Sequence, residues 1–280
     1  MRPRRGLSLV ELIVALLIAG IIGLALTRFV ISQARFISLQ DGLMQARAGA
    51  RAGFNVMVQE MRMVGPGGLL AAAADSLELR VPYAMGTGCA QPSGGNQGAL
   101  LMPYDSANFA SASLSGYAWM DTTGLYHFVS PATAAVSASY AGDCTATPTP
   151  PLTVPPGWKT ARLAPSDPAT PVGFPIYLYQ TIRYTIAPSA ELPGRLALWR
   201  TVVGPPDTRE ELVAPFDTAS RFSYLVGNGL VATTTAPAVL DSVRGIRVRL
   251  VGQSELPPQG RSQPSRFDLA TDIVFVNRAR

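Results

Sequence analysis

The chain reads as an α+β protein: one long N-terminal helix laid against an antiparallel, β-rich head with long loops. Three observations carry that reading. Leu7 to Leu26 is almost pure hydrocarbon, with only Ser8 and Glu11 polar. A stripe of apolar residues at helical spacing continues to Val64 and stops at Gly65-Pro66-Gly67-Gly68. From Asp75 onward apolar residues recur with period two and are interrupted by Gly- and Pro-rich stretches, the pattern of strands and turns.

The first element begins with a basic stub. Arg2, Arg4 and Arg5 precede Gly6 and hold this end on the cytoplasmic side. Twenty apolar residues of helix rise about 30 Å, one hydrocarbon core. Glu11 lies about one turn inside it, where a carboxylate costs roughly 2.5–3.5 kcal/mol on insertion scales. Such a residue points to a cationic partner or to a position shallow enough to reach the headgroups. A secretory signal peptide, with Gly23-Leu24-Ala25 as cleavage site, and a permanent single-span anchor are two readings of the segment.

A third reading rests on a resemblance. Gly6 followed by Leu7-Ser8-Leu9-Val10-Glu11 and an apolar run resembles the N-terminus of type IV pilins and type II secretion pseudopilins. The family pattern is a basic leader ending in Gly, cleavage after it, and Glu as fifth residue of the mature chain; Leu7 departs from the usual first residue, Phe. The resemblance implies that prepilin peptidase cleaves between Gly6 and Leu7 and that Leu7 is N-methylated. It also implies that Glu11 pairs with the N-terminal ammonium of a neighbouring subunit. Residues 1–6 are then a leader, 7–64 a long helix with 7–31 in the inner membrane, and 75–280 an extracytoplasmic head. A charge buried in this way is tolerated when paired and costly when alone.

The helix continues beyond the membrane. Phe36, Leu39, Leu43, Ala46, Ala50, Phe54, Met57, Met61 and Val64 mark one face, with Arg35, Gln40, Asp41, Arg47, Arg51 and Gln59 opposite. Unbroken, Leu7 to Val64 spans about 87 Å. The resemblance implies a pilin-like fold, with the second half of this helix packed on the sheet. It also makes Gly20-Ile21-Ile22-Gly23 the candidate for local melting in a filament, glycine costing about 1 kcal/mol each relative to alanine.

The head follows. "DSLELRVPY" is a strand in which Leu77, Leu79 and Val81 alternate. Residues 84–172, rich in Gly, Ser, Ala, Thr and Pro, read as long loops with short strands near Tyr117–Trp119 and Leu125–Val129. "TATPTPPLTVPPG" holds neither helix nor central strand. "IYLYQTIRYTIA" and "RLALWRTVV" form a strand pair across "PSAELPG", and "SVRGIRVRLVG" and "TDIVFV" are further strands. No internal repeat interrupts this region.

Composition excludes several classes. The formal charge of +5 falls to +2 without the leader's three arginines, which does not argue for nucleic acid. Arg244, Arg247, Arg249, Arg261, Arg266, Arg278 and Arg280 crowd the C-terminal part. They read as a solvated strand face, with DNA a partner only where a pilus takes it up. Cys89 and Cys144 face an oxidising compartment if the head is exported and can pair there; two separate buried thiols are the alternative. A bridge would stabilise by roughly 4 kcal/mol in the chain-entropy model. His127 is the only histidine, so no Cys-His metal spacing exists, and a lone strand histidine reads as structural. Asp268 and Asp272 share one strand face, but a calcium site needs more oxygen ligands than the sequence places there. There is no nucleophile elbow, phosphate loop or dinucleotide fingerprint. The expectation is a protein without enzymatic activity, cofactor or metal.

Finer features narrow the family. "VQEMRMVGPGG" closing the helix, "LALWR", "ELVAPFDTASRFSYLVGNG" and "VRGIRVRLV" resemble, in type and order, the PilW and PulJ kind of minor pilin. The implied function is a minor pilin that joins other minor pilins and the major pilin to prime or cap a type IV pilus. It would sit as a single-pass inner-membrane protein with a periplasmic head, then in the filament at the cell surface. The alternatives are a J-type pseudopilin of type II secretion, a membrane-anchored periplasmic enzyme and a secreted binding protein.

Overall fold

The computed structural model describes residues 9–89, 95–145, 152–227 and 231–275; Gly6 and Leu7 lie outside the described residues. Helix α1 runs from Leu9 to Met61 without interruption, passing through Gly20 and Gly23. The sequence places its end at Val64. The helix stops three residues earlier, where Met63 N–H donates to Glu60 O and Val64 N–H to Met61 O, the tightened last turn that satisfies orphan carbonyls. Val64 stays fully buried in the turn that follows.

Among the described residues fourteen strands follow: β1 (Leu69–Ala72), β2 (Ser76–Gly88), β3 (Gln97–Leu101), β4 (Gly116–Met120), β5 (Tyr126–Val129), β6 (Thr133–Ser137), β7 (Lys159–Ala164), β8 (Pro175–Pro188), β9 (Leu196–Val203), β10 (Thr208–Phe216), β11 (Arg221–Val226), β12 (Val231–Thr233), β13 (Val243–Gln253) and β14 (Arg266–Val274). Helices α2 (Pro103–Ser111) and α3 (Gly142–Thr145) lie between strands. The strands join in one sheet with the order β12-β11-β13-β10-β9-β8-β2-β3-β7-β6; β1 adds to β2, β14 to β13, and the β4–β5 hairpin to β8. Every pairing in it is antiparallel. Together with the long apolar helix this is an α+β, pilin-like fold. The β10–β13 junction rests on a single residue pair, Phe216 opposite Gly252, so the sheet turns a corner there.

Helix and sheet meet along a seam of small residues. Gly42, Ala46, Ala50 and Gly53, then Met57, Val58 and Met61, are the buried positions of α1. They face β13, β14 and β10. At Gly252 of β13 a Cβ would collide with the carbonyl oxygen of Ala46, and at Gly53 it would meet Leu198 and Phe216 at 3.2–3.3 Å. The apolar stripe read from the sequence is therefore right from Ala46 onward. Phe36 is 57 % exposed and Leu43 38 % exposed; before Gly42 the head meets α1 where Gln259 N–H donates to Ser38 Oγ and Gly260 lies beside Arg35. A second core lies under β3, β4, β7 and the first half of β8, with Tyr117, Trp119, Leu163, Ile176 and Leu178 buried in it.

Residues 84–172 depart most from the sequence reading. The short strands expected near Tyr117–Trp119 and Leu125–Val129 are there as β4 and β5, but the described residues also hold the end of β2, β3, β6, β7 and two helices in place of long loops. The reason is chemical. All five residues of β3, Gln97-Gly98-Ala99-Leu100-Leu101, are buried, so the strand has no polar face and shows no alternation. β7 opens on the lone lysine, and β6 is mostly Ala, Ser and Thr, so neither carries the β-branched and aromatic enrichment that marks a strand. Cys89 and Cys144 are joined in a disulfide, with Cα atoms 4.9 Å apart. Leu100 shares their buried cluster, and Leu152, Val154 and Trp158 cover it. The bridge fastens α3 to the end of β2.

Because Gly252 has no room for a methyl group, Gly252→Ala should destabilise the protein by about 3 kcal/mol through overpacking. Denaturant unfolding measures this. Unchanged stability would show that α1 is free to lift from β13.

Candidate functional site

The first half of α1 is built for an apolar surrounding. From Leu9 to Ile31 every residue is exposed, the large apolar ones 42–76 % so. The helix is long and apolar enough to cross a membrane there. Its polar side chains are Glu11 at the start and Thr27 and Arg28 near the end. Thr27 Oγ1 donates to Gly23 O at 2.8 Å, satisfying its hydroxyl within the helix. Glu11 sits in the first turn, where a negative charge also suits the helix dipole. The surface that the head leaves open on α1 runs on through Phe36, Ile37 and Met44.

The other end of α1 is held by a charge. Glu60 accepts from Arg200 Nη2 at 2.8 Å and Nε at 3.1 Å, and from the hydroxyl of Tyr184. Tyr184 and Arg200 stand directly opposite each other on β8 and β9, so one carboxylate ties the helix end to a cross-strand pair. The Arg200 and Glu60 side chains are only 17 % and 18 % exposed, which makes the bonds strong and their loss costly. Burial, and then the Glu60 charge, push the Tyr184 phenol well above its ordinary range. The sequence reading used Glu60 only as part of a family pattern. Its signal was an acid set among Met57, Met61 and Val64, a polar residue beside a buried stripe.

The C-terminal strand pair uses its charges internally. Arg247 meets Asp272 with contacts of 2.6 and 2.8 Å, and Arg249 pairs with Asp268. Each pair is directly opposite in the β13–β14 register. Arg266 contacts Asp217 at 2.9 Å. Asp268 and Asp272 do share a strand face, as the sequence implies, but their oxygens receive guanidinium groups. Hydrogen bonds from Arg249 and Arg247 hold both carboxyls below their usual range. Three of the arginines that crowd this region are thus paired with carboxylates; Arg278 and Arg280 lie outside the described residues.

His127 closes the β4–β5 hairpin. Its Nε2 lies 2.9 Å from Asp121 Oδ2 and its ring stacks on Trp119 with centroids 4.1 Å apart. Asp121 also accepts from the Thr123 hydroxyl and the N–H groups of Thr123 and Leu125. The Thr123 and then His127 contacts depress its carboxyl. This is turn architecture, with the histidine packed as a lid on the tryptophan. Among the described residues, no three His, Cys, Asp or Glu side chains gather as a metal site.

The prokaryotic N-terminal methylation motif matches residues 1–27 of the chain. That motif supports a type IV pilin-like or pseudopilin protein. It implies processing by prepilin peptidase and assembly with other pilins, and with the apolar helix it fits inner-membrane anchoring followed by incorporation into a pilus. No curated protein and no solved structure matches the chain.

Replacing Glu60 with Ala leaves Arg200 and the Tyr184 hydroxyl without their acceptor. Unfolding should become easier by about 3 kcal/mol, and Arg200→Ala in the same background should add little further loss. Full additivity of the two changes would argue that the pair is not coupled. The paired aspartates give a pH signature. Their folded pKa lies below the unfolded value of about 4, so their stabilisation is complete at neutral pH and is lost as pH falls below about 4. The pairs are exposed and screened by solvent, so the effect of each is small. The melting temperature of the Arg247→Gln/Arg249→Gln variant should therefore fall less between pH 6 and pH 3 than that of the parent, by scanning calorimetry. Identical pH profiles would remove the ladder from the acid response.

Proposed function

We propose that this chain is a minor pilin of the PilW kind, cleaved between Gly6 and Leu7, N-methylated on Leu7, and inserted in a filament with other minor pilins and the major pilin. One observation carries the reading: an N-terminal methylation motif over residues 1–27 runs directly into a helix whose first half is apolar and left uncovered by its own head. A helix in that state is a surface for a bilayer and then for neighbouring helices. Residues 7–31 would be the membrane-embedded part, and the β-rich head would stand outside the membrane.

The charge logic follows from cleavage. Cutting after Gly6 creates an ammonium on Leu7 at membrane depth, and Glu11 of a neighbouring subunit is the counter-charge. Each group alone is costly in hydrocarbon, and the pair sets the axial register between subunits. The head then contributes complementary surfaces, and no bond-breaking chemistry is asked of it. The disulfide between Cys89 and Cys144 suits a head that works in an oxidising compartment.

Two measurements test this. Mass spectrometry of the membrane-extracted protein should find N-methyl-Leu7 as first residue; a chain beginning at Met1 or Leu26 would refute processing. Glu11→Leu should insert and be cleaved as well as the parent, since a costly carboxylate is removed. Its ratio in sheared filaments to membranes should drop about tenfold, the effect of losing roughly 1.4 kcal/mol of subunit contact. Equal incorporation, with crosslinks to subunits on both sides, would refute the pairing.

A further inference from the structure

A cleft of about 690 Å³ opens beside the C-terminal end of α1, between the turn that follows it and α2. Filament assembly through α1 makes no use of it. Its volume is that of a small-molecule site. Six aromatic residues line it, among them Tyr126 and Phe128 of β5, and Tyr177 and Tyr179 of β8. The rings touch one another, Tyr126 against Tyr177 at 5.6 Å and Phe128 against Tyr179 at 5.7 Å between centroids.

Two polar groups in this cleft are fixed and under-used. The Arg80 guanidinium lies 4.1 Å over the Phe128 ring and 5.7 Å from Tyr179. Its Nη1 donates to Gly67 O at 3.0 Å. Elsewhere in the head Arg162, Arg183, Arg200, Arg247, Arg249 and Arg266 each meet a carboxylate. Arg80 meets none among the described residues, so a pre-set donor fork faces the cleft. The second group is the hydroxyl of Tyr83, a residue that lines the same cleft. It is shielded and has no hydrogen-bond partner among the described residues. Burial pushes its pKa up, so it keeps its proton as a donor. A shielded hydroxyl left without an acceptor costs about 1–3 kcal/mol, which an oxygen-bearing ligand would recover.

The walls decide between ligand classes. An extended peptide needs a free strand edge, and the β2 edge here is already occupied. Arg80 N–H donates to Gly68 O, Pro82 has no N–H, Met85 N–H donates to Asp105 Oδ1, and Asn108 donates to Tyr83 O. A polyanion such as nucleic acid needs a run of cations, whereas the Asp105 and Glu60 carboxylates line this cleft alongside Arg62 and Arg80. A ring compound with one acidic group meets every requirement: an apolar face for the aromatic rings, a carboxylate for Arg80, and hydroxyls for Tyr83 and the rim. We infer that the cleft is a binding site for an acidic sugar, held by stacking on Tyr126, Phe128, Tyr177 and Tyr179 and by hydrogen bonds from Arg80 and Tyr83.

Calorimetric titration of the full mature chain, in a detergent without a sugar headgroup, tests this. The probes are oligosaccharides of galacturonate, glucuronate and N-acetylneuraminate, a neutral galactose oligosaccharide, and a short glutamate peptide. At least one acidic sugar should bind saturably, and the neutral sugar and the peptide about tenfold more weakly or not at all. Arg80→Gln should weaken that acidic sugar about tenfold or more, the scale of a hydrogen bond to a charged group. Tyr83→Phe is the variant that a purely structural role cannot mimic. It should weaken binding while leaving the melting temperature unchanged or higher, because an unsatisfied hydroxyl is removed. The site is overturned if none of the three acidic sugars binds at millimolar concentration. It is equally overturned if the neutral sugar or the peptide binds as tightly, or if Tyr83→Phe, still folded by circular dichroism, binds as well as the parent.

Discussion

The close approach of α1 to β13 at Gly252 is the constraint on which the rest of the molecule depends. A backbone carbonyl at Ala46 occupies the place a side chain would take on the strand. Such proximity needs small residues on both sides, and Gly42, Ala46, Ala50 and Gly53 supply them from the helix. Once that seam is set, the direction in which α1 leaves the head is fixed. The sheet corner at Phe216 and Gly252 lies on the same spot, so the geometry of helix exit and the geometry of the sheet are one problem with one solution.

Charge is handled in the same way at both ends of α1. Glu60 is shielded and met by Arg200 and Tyr184 from one cross-strand pair. Glu11 lies in an apolar stretch whose proposed partner belongs to another subunit. A carboxylate in low dielectric is costly alone and specific when paired. The first pair gives the head its grip on the helix; the second, in the proposed filament, gives one subunit its register on the next. Between them the head buries α1 side chains from Gly42 onward and touches the helix earlier at Ser38, and the exposed Phe36, Ile37 and Met44 extend the apolar surface beyond the membrane stretch.

Much of this was legible in the residues. The long helix, its stop near Gly65, and the strands at Leu77–Val81, Tyr177–Ala187, Leu196–Val203 and Val243–Gly252 follow from periodicity and turn chemistry. Within 84–172 only β4 and β5 were legible, because β3 is buried on both faces and β6 and β7 lack the β-branched pattern. The arginines of β13 and the aspartates of β14 were visible as two separate lists. Only the register, which sets Arg247 opposite Asp272 and Arg249 opposite Asp268, turned them into one ladder.

By itself the sequence determined the elements whose physics is local or one-dimensional. Hydrocarbon length sets a helix able to cross a membrane, period 3.6 sets its continuation, and the N-terminal methylation motif over residues 1–27 is a pattern of the chain itself. Tertiary structure alone decided which small residues become a seam, which acid becomes a clamp, and which rings, guanidinium and hydroxyl gather in one cleft. The reason is that these depend on contacts between residues far apart in the chain, 140 positions for Glu60 and Arg200. A glycine or a glutamate carries no mark in the chain of the partner that folding brings to it.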